Sequence, residues 1–535
     1  MTIAAAPTPA RAVRRQLRSL PGWAAIVVIV GVIVTPIVAI VASVLQPSTK
    51  VWSELWATRL PGMLVDTAIL LVLVVVGATT IGTGLAWLVT AYEFPGRRIL
   101  GWALVVPLAV PGYVLGFVWL DTLQGPLGAR GVRSIWICAA VLTLSLYPYV
   151  YLLARAAFRE QSAAAMGVSR SLGCSPVRAW WRVTLPMARP SIAAGAALVA
   201  MEVLTDVGTV RLFNVSTLAD GVMRVWFGTG NRNAAAELAT LLIAAAMALV
   251  LVERLLRGRA RYTQSGHRAI APAVISPGST LALMGTAWSV VAVAVAVPLV
   301  RLGRWAAQAR HTGQDVSVGG DLGDHVLASL RVAALTTVAS VVVGVALAML
   351  ARRRSPAGRL LARIATAGYA VPGPVVAVGV VITLAAVDRR GWIPGEVLLV
   401  GSLAGLVYAL TVRFLAIGFQ SVDASLDKVP TNVVAGARSL GASPWRVAIR
   451  VELPLVRAGL LAAAALVAID SLKELPVTLL LRPFGTDTLS VWVWQATSES
   501  LWVQAAVPSL AIVAVGLVPV AMLLWALERG AEVVS

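Results

Sequence analysis

Charge is scarce in this sequence. Asp, Glu, Lys and Arg supply 13% of its 535 residues, where a soluble domain carries about 25%. Cysteine is limited to Cys138 and Cys174. One falls in an apolar run and the other in a basic loop, which leaves no disulfide framework and no metal-ligand spacing. Histidine is limited to His267, His311 and His325, in or beside expected loops. None has a second ligand at metal spacing, so a membrane-embedded metalloenzyme finds no support. Lysine is limited to Lys50, Lys428 and Lys473, preceded by Thr49, Asp427 and Leu472. A P-loop needs Gly-Lys-Ser or Gly-Lys-Thr, so no nucleotide site of that kind is expected.

What the chain has in excess is apolar surface. Hydrophobic residues make up 59% of it, and the mean hydropathy is +0.86. Runs such as 24–45 and 505–524 reach the roughly 20 residues that a helix needs to cross a bilayer. Backbone polar groups cannot stay unpaired in lipid, so spans of this kind are helices. A barrel would instead show short alternating segments of about ten residues. The net charge of +20 reads as basic loops on one membrane side rather than as a nucleic-acid surface. No nucleic-acid partner is expected. The run from Gly22 is longer than a signal-peptide core, and Leu45-Gln46-Pro47 offers no small-residue cleavage site; it is read as the first span.

Twelve spans are expected, near 22–45, 66–91, 99–120, 135–157, 191–212, 234–256, 281–303, 326–350, 361–386, 396–416, 459–478 and 505–527. Arg11, Arg14, Arg15 and Arg18 precede the first. Arg97 and Arg98, the loop Arg159 to Arg189, Arg257 to Arg268, and Arg352 to Arg354 all fall on that same side. The opposite loops mix signs, as with Lys50 and Glu54. Charge asymmetry therefore places both termini in the cytoplasm.

The chain repeats itself. Arg170-Ser-Leu-Gly-Cys-Ser-Pro-Val-Arg178, followed by Leu185-Pro186, returns as Arg438-Ser-Leu-Gly-Ala-Ser-Pro-Trp-Arg446, followed by Leu453-Pro454. Gly173 and Gly441 stand 268 residues apart, as do Pro186 and Pro454. Ala109-Val-Pro-Gly112 likewise returns as Ala370-Val-Pro-Gly373. An even span count gives two six-span halves in parallel orientation, related by an axis along the membrane normal. The expected division is 1–256, a connector at 257–280, and 281–535.

Each repeated loop, at 158–190 and 417–457, has a readable local structure. A helix ends on Gly173 or Gly441, where glycine takes positive φ without a Cβ penalty. Ser175-Pro176 and Ser443-Pro444 then supply an N-cap and a first-turn Pro. The second helix is expected to end at Pro186 or Pro454. A structured loop of this length is usually functional.

These loops resemble the EAA motif of permease subunits in ATP-binding-cassette importers. The segments Met201 to Phe213 and Asp470 to Gly485 look most like the fused permeases of ferric-iron importers. The resemblance implies an all-α polytopic fold of the type I importer permease. It implies that Arg170, Gly173, Ser175, Pro176 and Arg178, and Arg438, Gly441, Ser443, Pro444 and Arg446, couple to a separate ATPase. Two such loops imply two ATPase subunits, with a solute-binding protein on the outer side and a multi-pass location in the bacterial inner membrane. No cofactor is expected in this chain. The family's leading Glu would fall at Gly167 and Ala435, neither acidic, which shifts docking toward shape, apolar contact and Arg170 or Arg438.

Span 5 carries Glu202 and Asp206, and span 11 carries Asp470 and Glu474, again 268 apart. At i, i+4 both carboxylates of a pair lie on one helix face. Carboxylates within spans are costly and mark functional candidates. They are read as lining a cation path, without a stably bound metal. The alternative is structural pairing, with Lys473 neutralising the second pair and Arg211 the first. Pro111-Gly112 and Pro372-Gly373, inside spans 3 and 9, kink their helices, as a gate or hinge or as a static packing kink. Ferric iron is the expected cargo. Thiamine within the same class and an ATP-independent secondary transporter are the alternatives.

Overall fold

The computed structural model describes residues 20–43, 45, 49–160, 175–257, 273–274, 277–312, 321–352, 356–366, 371–391, 398–427 and 429–532. Twelve main helices follow in chain order: α1 (Leu20–Ser43), α2 (Leu60–Ala91), α3 (Gly112–Val132), α4 (Ile135–Glu160), α5 (Leu185–Thr205), α6 (Arg232–Arg257), α7 (Thr280–His311), α8 (Leu322–Arg352), α9 (Gly373–Arg390), α10 (Leu403–Asp427), α11 (Arg457–Lys473) and α12 (Trp502–Glu532). Extended pairing among the described residues is confined to Tyr92–Glu93 against Ala273–Val274, which ties the first half to the connector. Most of the connector lies outside the described residues.

Nine of these helices are long and apolar enough to cross a bilayer unbroken. Two bent helix pairs have the same length and apolar character, as a broken span or a re-entrant loop has: Arg97–Ala109 with α3, at 92°, and Pro444–Leu455 with α11, at 73°. The described residues thus hold nine to eleven candidate spans against the twelve expected; at the expected span 361–386 they show α9 and the short helix Pro356–Thr366, which do not form one of these candidates. Residues 367–370 between them lie outside the described residues.

The Pro-Gly pairs break their spans rather than kinking continuous helices. Pro111 and Pro372 are N-caps, and α3 and α9 begin at the glycines that follow. The residue before a proline is driven out of the α region; Val110 sits accordingly at φ −99°, ψ 113°. The chain therefore stops, turns and restarts.

The two halves exchange their first helices. α1 lies against α9 of the second half: a Cβ on Gly379 would stand 2.5 Å from the Pro36 carbonyl oxygen. The Tyr408 hydroxyl donates to the Val32 carbonyl at 2.6 Å. Reciprocally, α7 lies against α3, where Arg301 pairs with Asp121 at 2.6 Å. Trp305 stacks on Phe117 at 5.9 Å, and Phe117 on Trp502 at 5.8 Å. Each of the two hydrophobic cores thus draws side chains from both halves. The cleft left between them holds the polar residues described next.

Candidate functional site

One cavity brings together the sequence-marked residues of both halves. Pro111, Gly112, Glu202, Asp206, Asp470 and Glu474 line it, with Tyr113, Ser145, Thr205, Arg413 and Lys473. α5 is 21 residues long, about 31 Å at 1.5 Å per residue, and the cavity lies at its C-terminal end, away from the repeated loop that leads into its N-terminus.

The four acids do not sit as two i, i+4 pairs on continuous helices. Glu202 and Asp470 are within α5 and α11. Asp206 and Glu474 are the C-caps, with extended backbone at ψ 124° and 127°. Each turns its carboxylate onto the short helix that follows. Asp206 accepts from the Val210 N–H at 3.0 Å and the Thr209 hydroxyl at 2.8 Å. Glu474 accepts from the N–H groups of Val477 and Thr478, each at 3.1 Å. A carboxylate here satisfies orphan donors at a helix N-terminus and complements its dipole. The break that the acids create and the break at the Pro-Gly pairs meet. A Cβ on Gly112 would lie 3.0 Å from Thr209 Oγ1, and one on Gly373 would lie 1.6 Å from Arg413 Nη1.

The cations are distributed differently from the sequence expectation. Lys473 does pair with Asp470, at 2.9 Å. Tyr149 of the first half joins them, donating to Asp470 Oδ1 at 2.8 Å and accepting from Lys473 at 3.0 Å. Glu474 is held instead by Arg413 of α10, at 3.0 Å. Arg211 does not serve the first acidic pair. It binds the buried Asp220 at 2.9 Å, together with Arg224. Among the described residues the Glu202 carboxylate makes no hydrogen bond or ion pair. Among the described residues no three His, Cys, Asp or Glu side chains converge as a metal cage. Arg413 and Tyr149 went unmarked in the sequence reading. A basic residue inside an apolar span is by itself a functional signal, and Arg413 carried it; nothing in sequence places Tyr149 beside Asp470, 321 positions away.

Arg170 and Gly173 lie outside the described residues, as does Gly167. Ser175 caps its helix, with its Oγ 3.4 Å from the Arg178 N–H. In the second half the loop is described except at Lys428. Thr431–Ser439 is helical, Gly441 has φ +81°, and Ser443 accepts from the Arg446 N–H before Pro444 opens the next helix. Arg438, Ser443, Pro444 and Arg446 are exposed. So are Leu440, at 89%, and Trp445, at 70%.

Pro186 does not end its helix. The segment continues from Pro176 into α5 through a π turn at Trp180–Thr184. The wider turn lets Leu185 N–H reach back to Trp180 and makes room for the proline ring. An equivalent π turn, Ala448–Glu452, precedes Pro454, but there the helix stops at Leu455.

The chain is 28% identical over 476 residues to the Fe(3+)-transport system permease protein FbpB 2 of Haemophilus influenzae, covering 88% of this chain and 90% of that protein. It is 27% identical over 185 residues to the molybdate/tungstate transport system permease protein WtpB of Thermococcus kodakarensis, covering 34% of this chain and 72% of the relative. A probable sulfate transport system permease protein, cysT of Chlorokybus atmophyticus, is 24% identical over 207 residues, covering 36% and 71%. Two stretches, residues 78–257 and 340–529, each match the family described as binding-protein-dependent transport system inner membrane component. Those stretches hold both Pro-Gly breaks, all four acids and both repeated loops, and they make up well over half of the chain, which therefore belongs to that family as a permease carrying its domain twice.

Proposed function

We propose that this permease is the membrane path of an ATP-driven importer of ferric iron. The observation that carries the cation reading is the composition of the cavity. Four carboxylates face two cations, Arg413 and Lys473. A net negative lining attracts a cation and repels oxyanions such as sulfate or molybdate. Hard trivalent iron favours carboxylate oxygen, and the relative matched along most of this chain is a ferric-iron permease. The absence of a cage suits a conduit, since tight binding would oppose release.

ATP is hydrolysed on a separate subunit in this reading. Two copies dock on the two repeated loops, with Arg170, Gly173, Ser175, Pro176 and Arg178 in one and Arg438, Gly441, Ser443, Pro444 and Arg446 in the other. The exposure of Leu440 and Trp445 supports an apolar contact there, which substitutes for the motif Glu absent at Ala435. A solute-binding protein delivers cargo on the outer side of a bacterial inner membrane, and both termini are cytoplasmic. The breaks at Pro111-Gly112 and Pro372-Gly373 act as the gate around the four acids.

The test is radioactive ferric-iron uptake in cells with and without this chain, with thiamine and sulfate run in parallel. Iron uptake that requires the chain is expected. Chain-dependent uptake of thiamine alone would replace iron as the cargo.

A further inference from the structure

The cavity repeats its acids but not its bases. Arg413 and Lys473 both belong to the second half. The positions 268 residues earlier hold Ser145 and Thr205, and both line the same cavity. The equivalence is spatial as well. Arg413 abuts Gly373, and the Ser145 hydroxyl donates to the carbonyl of Val110, beside Pro111-Gly112, at 3.4 Å. The consequence is a polarised site. Asp470 and Glu474 each carry a cation at 2.9 and 3.0 Å. Asp206 is held only by neutral donors, and Glu202 by none among the described residues.

A second asymmetry lies on the same side. Tyr113 follows the first-half Pro-Gly and is 4% exposed; its hydroxyl lies near Ser490, whose own hydroxyl donates to the Leu472 carbonyl at 2.7 Å, and it makes no hydrogen bond of good geometry. It lines the cavity within electrostatic reach of Asp206 and Glu474. Its counterpart after Pro372-Gly373 is Pro374, which has no donor or acceptor on its side chain. The buried hydroxyl thus stands near Asp206, which no cation neutralises, and adds a neutral oxygen to the acids of the first half.

We propose that cargo is seated on the first half alone. Glu202 and Asp206 supply the carboxylates and Tyr113 a neutral oxygen. Arg413 and Lys473 are tethered counter-ions that withhold Asp470 and Glu474 from the cation. The proposal rests on the cation-importer reading and deepens it. Sequestering two of the four acids keeps the site to two carboxylates, strong enough to attract a hard multivalent cation and too few to trap it. Two parallel repeats thereby present one seat rather than two.

The experiment measures initial rates of ferric-iron uptake by cells whose only copy is the variant chain, with its ATPase and binding protein in place. Membrane abundance is checked by immunoblot. Glu202→Gln is expected to lower uptake about tenfold or more, the weight of one charged ligand contact. Glu202→Asp is expected to recover part of it. Thr205→Lys places in the first half the cation that the second half has, and is expected to abolish uptake, whereas Thr205→Val is not. The double variant Asp470→Asn/Lys473→Gln removes a pair already neutralised and is expected to lose less than Glu202→Gln. Equal losses in the two, or wild-type uptake by Glu202→Gln or Thr205→Lys, overturn the single-seat proposal while leaving the importer reading intact. Iron uptake that ignores the whole chain overturns the cargo reading and this proposal together.

Discussion

Arg413 and Glu474 meet at 3.0 Å with side chains 9% and 1% exposed, and the guanidinium stands where a Cβ of Gly373 would have to be. Three elements are locked by that one contact: α10 through Arg413, the broken end of α11 through Glu474, and the start of α9 through Gly373. Removing one member of a buried pair leaves the other uncompensated, at a cost of about 3–5 kcal/mol. Arg413→Ala is therefore expected to lower the thermal midpoint of the purified permease sharply. Replacing both residues together by apolar ones should cost much less, and a double-mutant cycle measures the difference.

Gly373→Ala should reproduce much of the Arg413→Ala effect, because the added methyl displaces the guanidinium. Gly112→Ala meets the Thr209 hydroxyl at 3.0 Å, with Leu142 at 3.4 Å and Asp206 at 3.6 Å in ordinary contact, so only the hydroxyl must give way, by a few tenths of an ångström. A milder loss of stability is expected there. Parallel melting curves of the two variants check the ranking; equal losses would contradict it.

The repeated loop makes a conformational prediction. Gly441 has φ +81°, a region that costs an ordinary L residue about 1–2 kcal/mol and that Asn tolerates better. Gly441→Val is expected to reduce ATPase co-purification and uptake, and Gly441→Asn to do so less. The permease itself should reach the membrane normally in both, since nothing lies within 4 Å of the glycine's missing Cβ.

Much of this architecture is written in the chain. Apolar runs place the spans, the 268-residue offset pairs Glu202 with Asp470 and Asp206 with Glu474, and Ser443-Pro444 caps a helix as serine and proline dictate. What sequence spacing cannot give is where a helix stops. The i, i+4 spacing of Glu202 and Asp206 would share a face only on an unbroken helix, yet Asp206 leaves it to cap the next one. Pro186 looked like a terminator and is absorbed by a π turn. Arg211 lies five residues from Asp206 along the chain, but the fold gives it to Asp220. Partners across the halves, such as Tyr149 with Asp470, depend on tertiary packing that no local pattern encodes.

Trp445 and Leu440 test the docking surface without disturbing the fold. Both side chains are largely exposed, and surface substitutions away from packed features stay within about 0.5 kcal/mol. Trp445→Ala with Leu440→Ala is expected to leave the permease's thermal midpoint unchanged while weakening its retention of the ATPase. A drop in the midpoint itself would mean that these side chains pack within the permease.

The exchange of first helices makes the last prediction. α1 approaches α9 so closely at Gly379 that a Cβ would sit 2.5 Å from the Pro36 carbonyl oxygen and 2.9 Å from Ile40. Backbone on the far side cannot rotate away as a side chain can, so Gly379→Ala must push α1 outward. The Tyr408 hydroxyl bond to Val32, one turn along α1, is then strained with it. A different contact between the halves is looser: a Cβ on Gly516 of α12 would lie 3.2 Å from the carbonyl oxygen of Ala109, in the turn before α3. Gly379→Ala is expected to expose α1 to added protease and lower the melting midpoint, and Gly516→Ala to do little of either. If α1 is held chiefly by lipid rather than by α9, the two variants will behave alike.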